Sequence, residues 1–181
     1  MPFNLKTCFK ILILIILFSA LSFMVYKVIY KINYKAEVAE DIKTMPPFSF
    51  KTIGGTVFSN QDLKPNTSTI FINFNSTCEY CQHEAEQIKA DIDQLKTVQL
   101  MFISEETPKQ INDFAINYNL LEHDNITFLQ DTDARFASIF DANSLPTLII
   151  YGKNNQLIEK IKGQVKIPLI LKLLKKTNNQ N

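Results

Sequence analysis

Near the middle of the chain an apolar β-type run passes directly into a helical pattern, and two cysteines stand at the change. The run Ile70–Phe74 is followed by the polar residues 75–77, and Cys78-Glu79-Tyr80-Cys81 then opens the helix. A thiol in the first turn of a helix meets unpaired backbone N–H groups and the positive end of the helix dipole, which favour the nucleophilic thiolate. A second thiol one turn later lies on the same face and can form a disulfide with the first. The stretch predicts a redox-active dithiol at a strand-to-helix corner.

The apolar spacing of this helix predicts unequal roles for the two cysteines. Cys81 begins a row at alternating steps of four and three residues. The row continues through Ala85, Ile88, Ile92 and Leu95. Such a row is the buried stripe of an amphipathic helix. Cys78, one turn earlier, is therefore predicted to be the exposed attacking thiol, and Cys81 the sheltered resolving thiol.

Composition argues against several classes of partner. The 181 residues are 46% hydrophobic and 20% charged, with a formal net charge of +1, so nucleic acid is not an expected partner. Arg135 is the only arginine, and the chain has four glycines, which speaks against a phosphate-binding arginine cluster or a glycine-rich nucleotide loop. We expect no cofactor and no metal beyond the redox-active disulfide Cys78–Cys81.

A long apolar segment lies near the N-terminus, over residues 11–30, with Lys27 close to its end. A membrane-spanning helix needs about 20 mostly apolar residues, and a lysine near its end can reach the membrane surface. Residues 1–32 are therefore predicted to be a transmembrane anchor with a short cytoplasmic head. A cleaved signal peptide is the alternative, because residues 19–22 include small side chains.

Lysines flank the anchor on both sides, so their number does not decide its orientation. A short head followed by a long folded domain is typical of a signal anchor whose C-terminal side is exported. We expect a single-pass protein of the bacterial inner membrane with its domain on the periplasmic or extracytoplasmic side. Cys8 then lies at the inner membrane edge and is interpreted as a bystander thiol.

Beyond the anchor, residues 33–47 are predicted to be an extended linker, because the prolines of Met45-Pro46-Pro47 favour extended chain. The folded domain is predicted over 48–176, followed by a polar tail over 177–181. Within the domain a β-hairpin turns at Gly54-Gly55. Further strands are predicted over 69–74, 98–103, 126–129, 147–151 and 157–161.

Helices are predicted between these strands. One follows the cysteines, one begins at a Thr107 cap with Gln110 three residues later, one is capped by Asp131 or Thr132, and one covers 166–175. This alternation predicts an α/β fold in which helices flank a central mixed β-sheet.

With Cys-x-x-Cys at the corner and Pro-Thr opening the penultimate strand, this order resembles the thioredoxin-like fold. More narrowly, it is similar to the membrane-anchored proteins of the TlpA and ResA type in the redoxin group, over residues 48–176. Glu79 and Glu84 match acidic positions of that family, and Leu145-Pro146-Thr147 matches its cis-proline loop. The resemblance implies that Cys78 and Cys81 are catalytic.

The same resemblance implies that Leu145, Pro146 and Thr147 contact the substrate chain beside the disulfide. It leaves Glu79, Tyr80 and Glu84 as residues that could tune the dithiol, although a glutamate at position 84 is by default on a solvated helix face.

The sequence departs from that family around the cysteines. Thr77 stands where Trp is usual, Tyr80 where Pro is frequent, Glu86 where a proline usually kinks the helix, and Ile72 where thioredoxins have a buried acid. The departures leave the partner and the redox potential open.

The resemblance implies a membrane-anchored thiol–disulfide oxidoreductase that reduces disulfides of exported proteins through a mixed disulfide, with electrons from a membrane or exported donor. A thiol peroxidase of the peroxiredoxin type is one alternative, although Asn75 occupies the position where peroxiredoxins have Thr. A copper chaperone of the Sco type, with His83 or His123 joining the cysteines, is another. A purely structural disulfide is the remaining alternative.

Overall fold

The computed structural model describes residues 5–178, with side chains for residues 9–176, and divides the chain into two units, 1–40 and 41–181. Helix α1 (Leu5–Asp41) makes up the described part of the first unit. Its most apolar window of 18 residues has a mean hydropathy of 2.5. The helix is thus long and apolar enough to cross a membrane, as the sequence predicts.

The predicted linker differs from the structure in its first part, which is helical. Helix α1 continues to Asp41 because residues 33–41 contain helix-favouring Ala, Glu and Lys and no helix breaker before the prolines. The second unit then begins ahead of position 48. Ile42 and Met45 are buried, and Thr44 forms a β-bridge with Gln156.

The second unit is built on one mixed sheet. Its strands are β1 (Ser49–Thr52), β2 (Val57–Ser59), β3 (Ser68–Asn73), β4 (Val98–Ser104), β5 (Ile126–Gln130), β6 (Thr147–Tyr151) and β7 (Leu157–Lys162). They lie in the order β2-β1-β5-β4-β3-β6-β7. Strands β3, β4 and β5 are parallel, and the other neighbours pair antiparallel.

Four helices accompany the sheet: α2 (Glu79–Ala90), α3 (Pro108–Asn117), α4 (Arg135–Phe140) and α5 (Ile167–Asn178). Two short 3-10 turns cover Asn60–Asp62 and Ile92–Leu95. Helix α3 has the predicted capping box, since the Gln110 N–H donates to Thr107 Oγ1 and the Thr107 N–H donates to Gln110 Oε1. The predicted α/β architecture with a central mixed sheet is confirmed.

The predicted start of helix α4 is wrong. The helix begins at Arg135, after Ala134 in a left-handed conformation with φ of 52°. The Asp131 carboxylate is buried and accepts a hydrogen bond of 2.7 Å from the Phe136 N–H. Asp131 therefore caps the first turn of the helix from five residues before Phe136. In the usual capping pattern the bond is accepted by the residue directly before the helix.

Strand β3 lies in the core with all six of its residues buried, as does its neighbour β4 with all seven. Ile70 and Ile72 belong to the same hydrophobic cluster as Cys81 and Ile88 of helix α2. Phe71 faces the opposite side of the sheet. There it contacts the rings of Phe48, Phe136, Phe140 and Tyr151. Apolar contacts on both faces are what the sequence predicts for a doubly covered strand.

Three connections meet at one edge of the sheet. Asn73, at the end of β3, pairs with Ile103 of β4 and with Thr147 at the start of β6. Because the parallel strands β3 and β4 end at the same edge, the loop before Cys78 and the loop after Ser104 lie side by side there. The turn that contains Pro146 reaches the same edge through β6, and this edge carries the candidate site.

Candidate active site

Cys78 occupies the N-cap position of helix α2. Its backbone is extended, and its carbonyl accepts hydrogen bonds of 3.0 Å from the N–H groups of both Cys81 and Gln82. The thiol is partly exposed, whereas Cys81 is buried with an exposed fraction of 1%, and both are free thiols. The geometry agrees with the predicted asymmetry: the first cysteine is accessible and the second faces the core.

Burial changes the acidity of Cys81. Desolvation, together with a hydrogen bond to the Cys78 thiol, raises the pKa of Cys81 to about 12. A thiol with such a pKa keeps its proton at neutral pH, and the thiol form is a poor nucleophile. Cys81 can attack only if a neighbouring group accepts its proton.

Glu84 lies one helical turn beyond Cys81, and its residue surface is fully buried. One carboxyl oxygen, Oε2, accepts a 2.9 Å hydrogen bond from the Val165 N–H. The other, Oε1, is buried without a hydrogen-bond partner among the described residues. Burial raises the pKa of Glu84 to about 7, although the Val165 bond favours the ionised form.

The expectation of a solvated Glu84 is therefore wrong. Position 84 is three residues after Cys81 and one before Ala85, so it lies on the buried stripe of the helix. The spacing of the apolar residues in this helix indicates that position 84 is buried, but a carboxylate on an apolar stripe is unusual. The buried carboxyl group is stabilised by the hydrogen bond from Val165, which is 81 positions away in the sequence.

The predicted cis-proline loop lies at the same sheet edge. The Leu145–Pro146 peptide bond is cis, and the Pro146 carbonyl accepts a 2.8 Å hydrogen bond from the Gly163 N–H. Thr147 is buried and its hydroxyl donates to the Ser144 carbonyl at 2.6 Å. Leu145, in contrast, is 39% exposed. The loop is fixed by internal bonds and presents an apolar side chain outward.

Glu79 and Tyr80, the two residues between the cysteines, are exposed. Glu79 lies in the first turn of helix α2, where a carboxylate is favoured by the helix dipole. Tyr80 keeps 65% of its surface exposed. Both side chains therefore lie on the protein surface next to Cys78.

Glu106 is a site residue that sequence reasoning did not identify. It follows strand β4, yet its carboxylate accepts hydrogen bonds from the N–H and the hydroxyl of Ser76, at 2.7 and 2.6 Å. The contact joins residues 30 positions apart. Only the sheet pairing of β3 with β4 brings them together, so no local pattern could indicate it.

The two histidines do not join the cysteines in a ligand cluster. His83 Nδ1 lies 3.0 Å from Glu86 Oε2 on the exposed face of helix α2. His123 Nε2 lies 3.1 Å from Lys89 Nζ. Within the described part of the chain, no group of three or more His, Cys, Asp or Glu side chains could hold a metal ion.

Comparison with protein families gives a match to the model of the AhpC/TSA family over residues 42–160. This range includes both cysteines, Glu84, Glu106 and the cis-proline loop.

Individual relatives are more distant. The thiol-disulfide oxidoreductase ResA of a Bacillus cereus strain is 24% identical over 163 residues, which are 88% of this chain and 89% of that protein. A secreted Mycobacterium tuberculosis disulfide oxidoreductase homologous to E. coli DsbE superposes with a TM-score of 0.61 at 16% identity, over 76% of this chain and 98% of that one. A thioredoxin-like protein from Aeropyrum pernix superposes with a TM-score of 0.61 at 16% identity, over 82% of this chain and 99% of that one. The fold is therefore thioredoxin-like.

Proposed function

The chain belongs to the AhpC/TSA family, and from this membership and its cysteine pair we propose that it is a membrane-anchored thiol–disulfide oxidoreductase. One observation carries the proposal: a partly exposed thiol at a helix N-terminus is hydrogen-bonded to a buried thiol with a raised pKa. This is the arrangement that disulfide exchange needs, because one sulfur must be reached by a partner and the other protected until the partner is bound.

In the first step the Cys78 thiolate attacks one sulfur of a substrate disulfide. A Cys78–substrate disulfide forms, the substrate S–S bond breaks, and the second substrate sulfur leaves as a thiolate that takes up a proton. In the second step Cys81 attacks Cys78 Sγ and releases the first substrate sulfur. The substrate gains two electrons and two protons, and the protein is left with the Cys78–Cys81 disulfide.

The second step assigns a role to Glu84. Cys81 must lose its proton as it attacks, and the buried Glu84 carboxylate one turn away is the proton acceptor in this mechanism. A base with a pKa near the working pH is effective because it is partly ionised and still able to bind a proton. The pKa of Glu84, raised to about 7 by burial, has this property.

The substrate class in this proposal is a protein disulfide on the exported side of the membrane. Tyr80 and Leu145 are exposed apolar groups at the same edge as Cys78, and they suit a polypeptide substrate better than a small molecule. The relative named a thiol-disulfide oxidoreductase supports this class. A membrane or exported dithiol donor would then re-reduce Cys78–Cys81, which makes the direction one of substrate reduction.

The test uses the full chain carrying Cys81→Ser in detergent, incubated with an oxidised protein that contains one accessible disulfide. We expect a covalent adduct on Cys78 that dithiothreitol releases, since the second step is blocked. The control is the double variant Cys78→Ser/Cys81→Ser, in which Cys8 is the remaining cysteine and no adduct forms at position 78. If Cys81→Ser forms no adduct either, the proposed function is wrong.

The same preparations separate the alternatives. Consumption of peroxide by the wild-type chain without any mixed disulfide would indicate a peroxidase. Stoichiometric copper binding that is lost in both single cysteine variants would indicate a copper carrier. Among the described residues neither alternative is favoured. Asn75 stands where peroxiredoxins have Thr and accepts a 2.6 Å hydrogen bond from the Thr77 hydroxyl, and the two histidines contact Glu86 and Lys89, not the cysteines.

A further inference from the structure

The loop that carries Cys78 is held by a carboxylate from a neighbouring strand. Glu106 Oε2 accepts a 2.7 Å hydrogen bond from the Ser76 N–H, and Glu106 Oε1 accepts one of 2.6 Å from the Ser76 hydroxyl. The Ser76 carbonyl accepts a third, of 2.8 Å, from Gln82 Nε2. Ser76 is two residues before Cys78, so all of its polar groups are fixed close to the attacking sulfur.

Glu106 is itself held in place. The Ser104 hydroxyl donates to its Oε2 at 3.1 Å and Gln110 Nε2 to its Oε1 at 3.4 Å. Its backbone carbonyl accepts a 3.0 Å bond from Gln130 Nε2 of strand β5. Hydrogen bonds to a carboxylate are stronger than those between neutral groups. The carboxylate thus ties the loop before Cys78 to strands β4 and β5.

Capping of helix α3 does not account for this arrangement. The cap is formed by Thr107 and Gln110, which bond to each other. Helix α2, in contrast, has no side-chain cap at Cys78 from the residues that the structure describes. The Cys78 N–H donates to the Asn75 carbonyl at 3.2 Å, and Thr77 binds the Asn75 side chain, so these contacts are internal to the loop.

We propose that Glu106 is a positioning residue for Cys78, which acts through Ser76 to fix the attacking sulfur at the mouth of helix α2. The inference rests on the proposed function, in which Cys78 is the nucleophile. Attack on a disulfide needs aligned sulfurs, and a displacement of about 1 Å can lower a rate by about 100-fold.

The test measures the rate at which iodoacetamide alkylates Cys78 in the reduced full chain, followed by mass spectrometry of the peptide that contains Cys78. We expect Glu106→Ala to slow this reaction about tenfold or more, because a sulfur that is no longer held at the helix mouth is accessible to the reagent for a smaller fraction of the time. Glu106→Gln, which keeps one acceptor oxygen, should have an intermediate rate. The matched control is Glu105→Gln, which removes the same charge from the exposed neighbouring residue and should leave the rate unchanged. A wild-type rate in folded Glu106→Ala overturns the inference.

The sign of the effect excludes an explanation by charge. Removing a negative charge near a thiol favours the thiolate and would speed alkylation, whereas loss of positioning slows it. An increase in rate for Glu106→Ala or Glu106→Gln would therefore also contradict the proposed role.

A second comparison keeps the inference testable if Glu106→Ala does not fold. Ser76→Ala removes one of the two bonds to the carboxylate and should slow alkylation by itself. Added to Glu106→Gln, it should slow the reaction by less than the product of the two single effects, because both changes act on one interaction. Independent, multiplicative effects would overturn the inference.

Alkylation requires no protein substrate, so its result is independent of the adduct test. If Cys81→Ser forms its adduct but the Glu106 and Ser76 variants are alkylated at the wild-type rate, the positioning role is wrong and the proposed function stands.

Discussion

At position 84 a carboxyl group is buried, and its ionisation makes stability depend on pH. Burial raises the pKa of Glu84 from an ordinary 4.5 to about 7 in the folded chain. Below pH 4.5 the group is protonated in both the folded and the unfolded state. Between about pH 4.5 and 7 the unfolded chain releases the proton while the folded chain keeps it, so the free energy of unfolding falls as the pH rises.

We expect Glu84→Gln to remove this pH dependence. The difference between the two pKa values corresponds to about 3 kcal/mol, which the wild-type chain loses between the two pH limits and the variant does not. Urea unfolding of the full chain in detergent at a series of pH values measures it. Glu86→Gln, an exposed carboxylate on the same helix, should retain the wild-type slope. Equal slopes for Glu84→Gln and the wild type would show that Glu84 is not buried as described.

The same residue predicts a kinetic effect. If Glu84 accepts the Cys81 proton, Glu84→Gln should slow the decay of the Cys78–substrate disulfide by about 100-fold or more, the usual contribution of a general base. The formation of that disulfide, which involves Cys78 alone, should change much less. Single-turnover mixing with quenching at intervals separates the two steps. In the wild-type chain the decay should accelerate as the pH rises through about 7, and in the variant this acceleration should be absent.

Among the elements, strand β3 is buried along its whole length. Phe71 has an exposed fraction of 0% and contacts the aromatic rings of Phe48 ahead of β1, Tyr151 in β6 and Phe136 in α4. Phe71→Ala should therefore lower the free energy of unfolding by about 3–5 kcal/mol, because the cavity adds to the lost burial. Val57→Ala, at a position 66% exposed in β2, should change it by less than about 0.5 kcal/mol. Similar losses for the two variants would contradict the described packing.

The elements also show where sequence reasoning succeeds. The strands, the Thr107 cap and the buried position of Cys81 depend on neighbours in the sequence, and these predictions are confirmed. The start of α4 depends on the contact of Asp131 with Phe136, five residues later, which spans the turn at Ala134 and falls outside the usual capping pattern. The burial of Glu84 depends on Val165, which only tertiary structure brings close. Glu106 likewise contacts Ser76 through sheet pairing. Periodicity indicates which face of an element is buried, but it does not reveal a polar contact between elements.

At the scale of the whole molecule, α1 is longer than a membrane requires. Its 37 residues span about 55 Å at about 1.5 Å per residue, against about 30 Å for the hydrocarbon core of a bilayer. The excess contains the charged residues that follow position 33. Helix α1 therefore ends in a polar segment, which the sequence predicts only as extended linker.

The sidedness of the proposed anchor can be tested with the native cysteines. If the domain is exported, Cys78 faces the outside and Cys8 the cytoplasm, because the segment over residues 11–30 separates them. A membrane-impermeant maleimide added to intact spheroplasts should then label the reduced wild-type chain. It should not label Cys78→Ser/Cys81→Ser until detergent opens the membrane and exposes Cys8. The opposite result would place the domain in the cytoplasm. In that case the double variant is labelled before detergent is added, and Cys78 of the wild-type chain is labelled only afterwards. The reducing donor and the substrates would then have to be cytoplasmic.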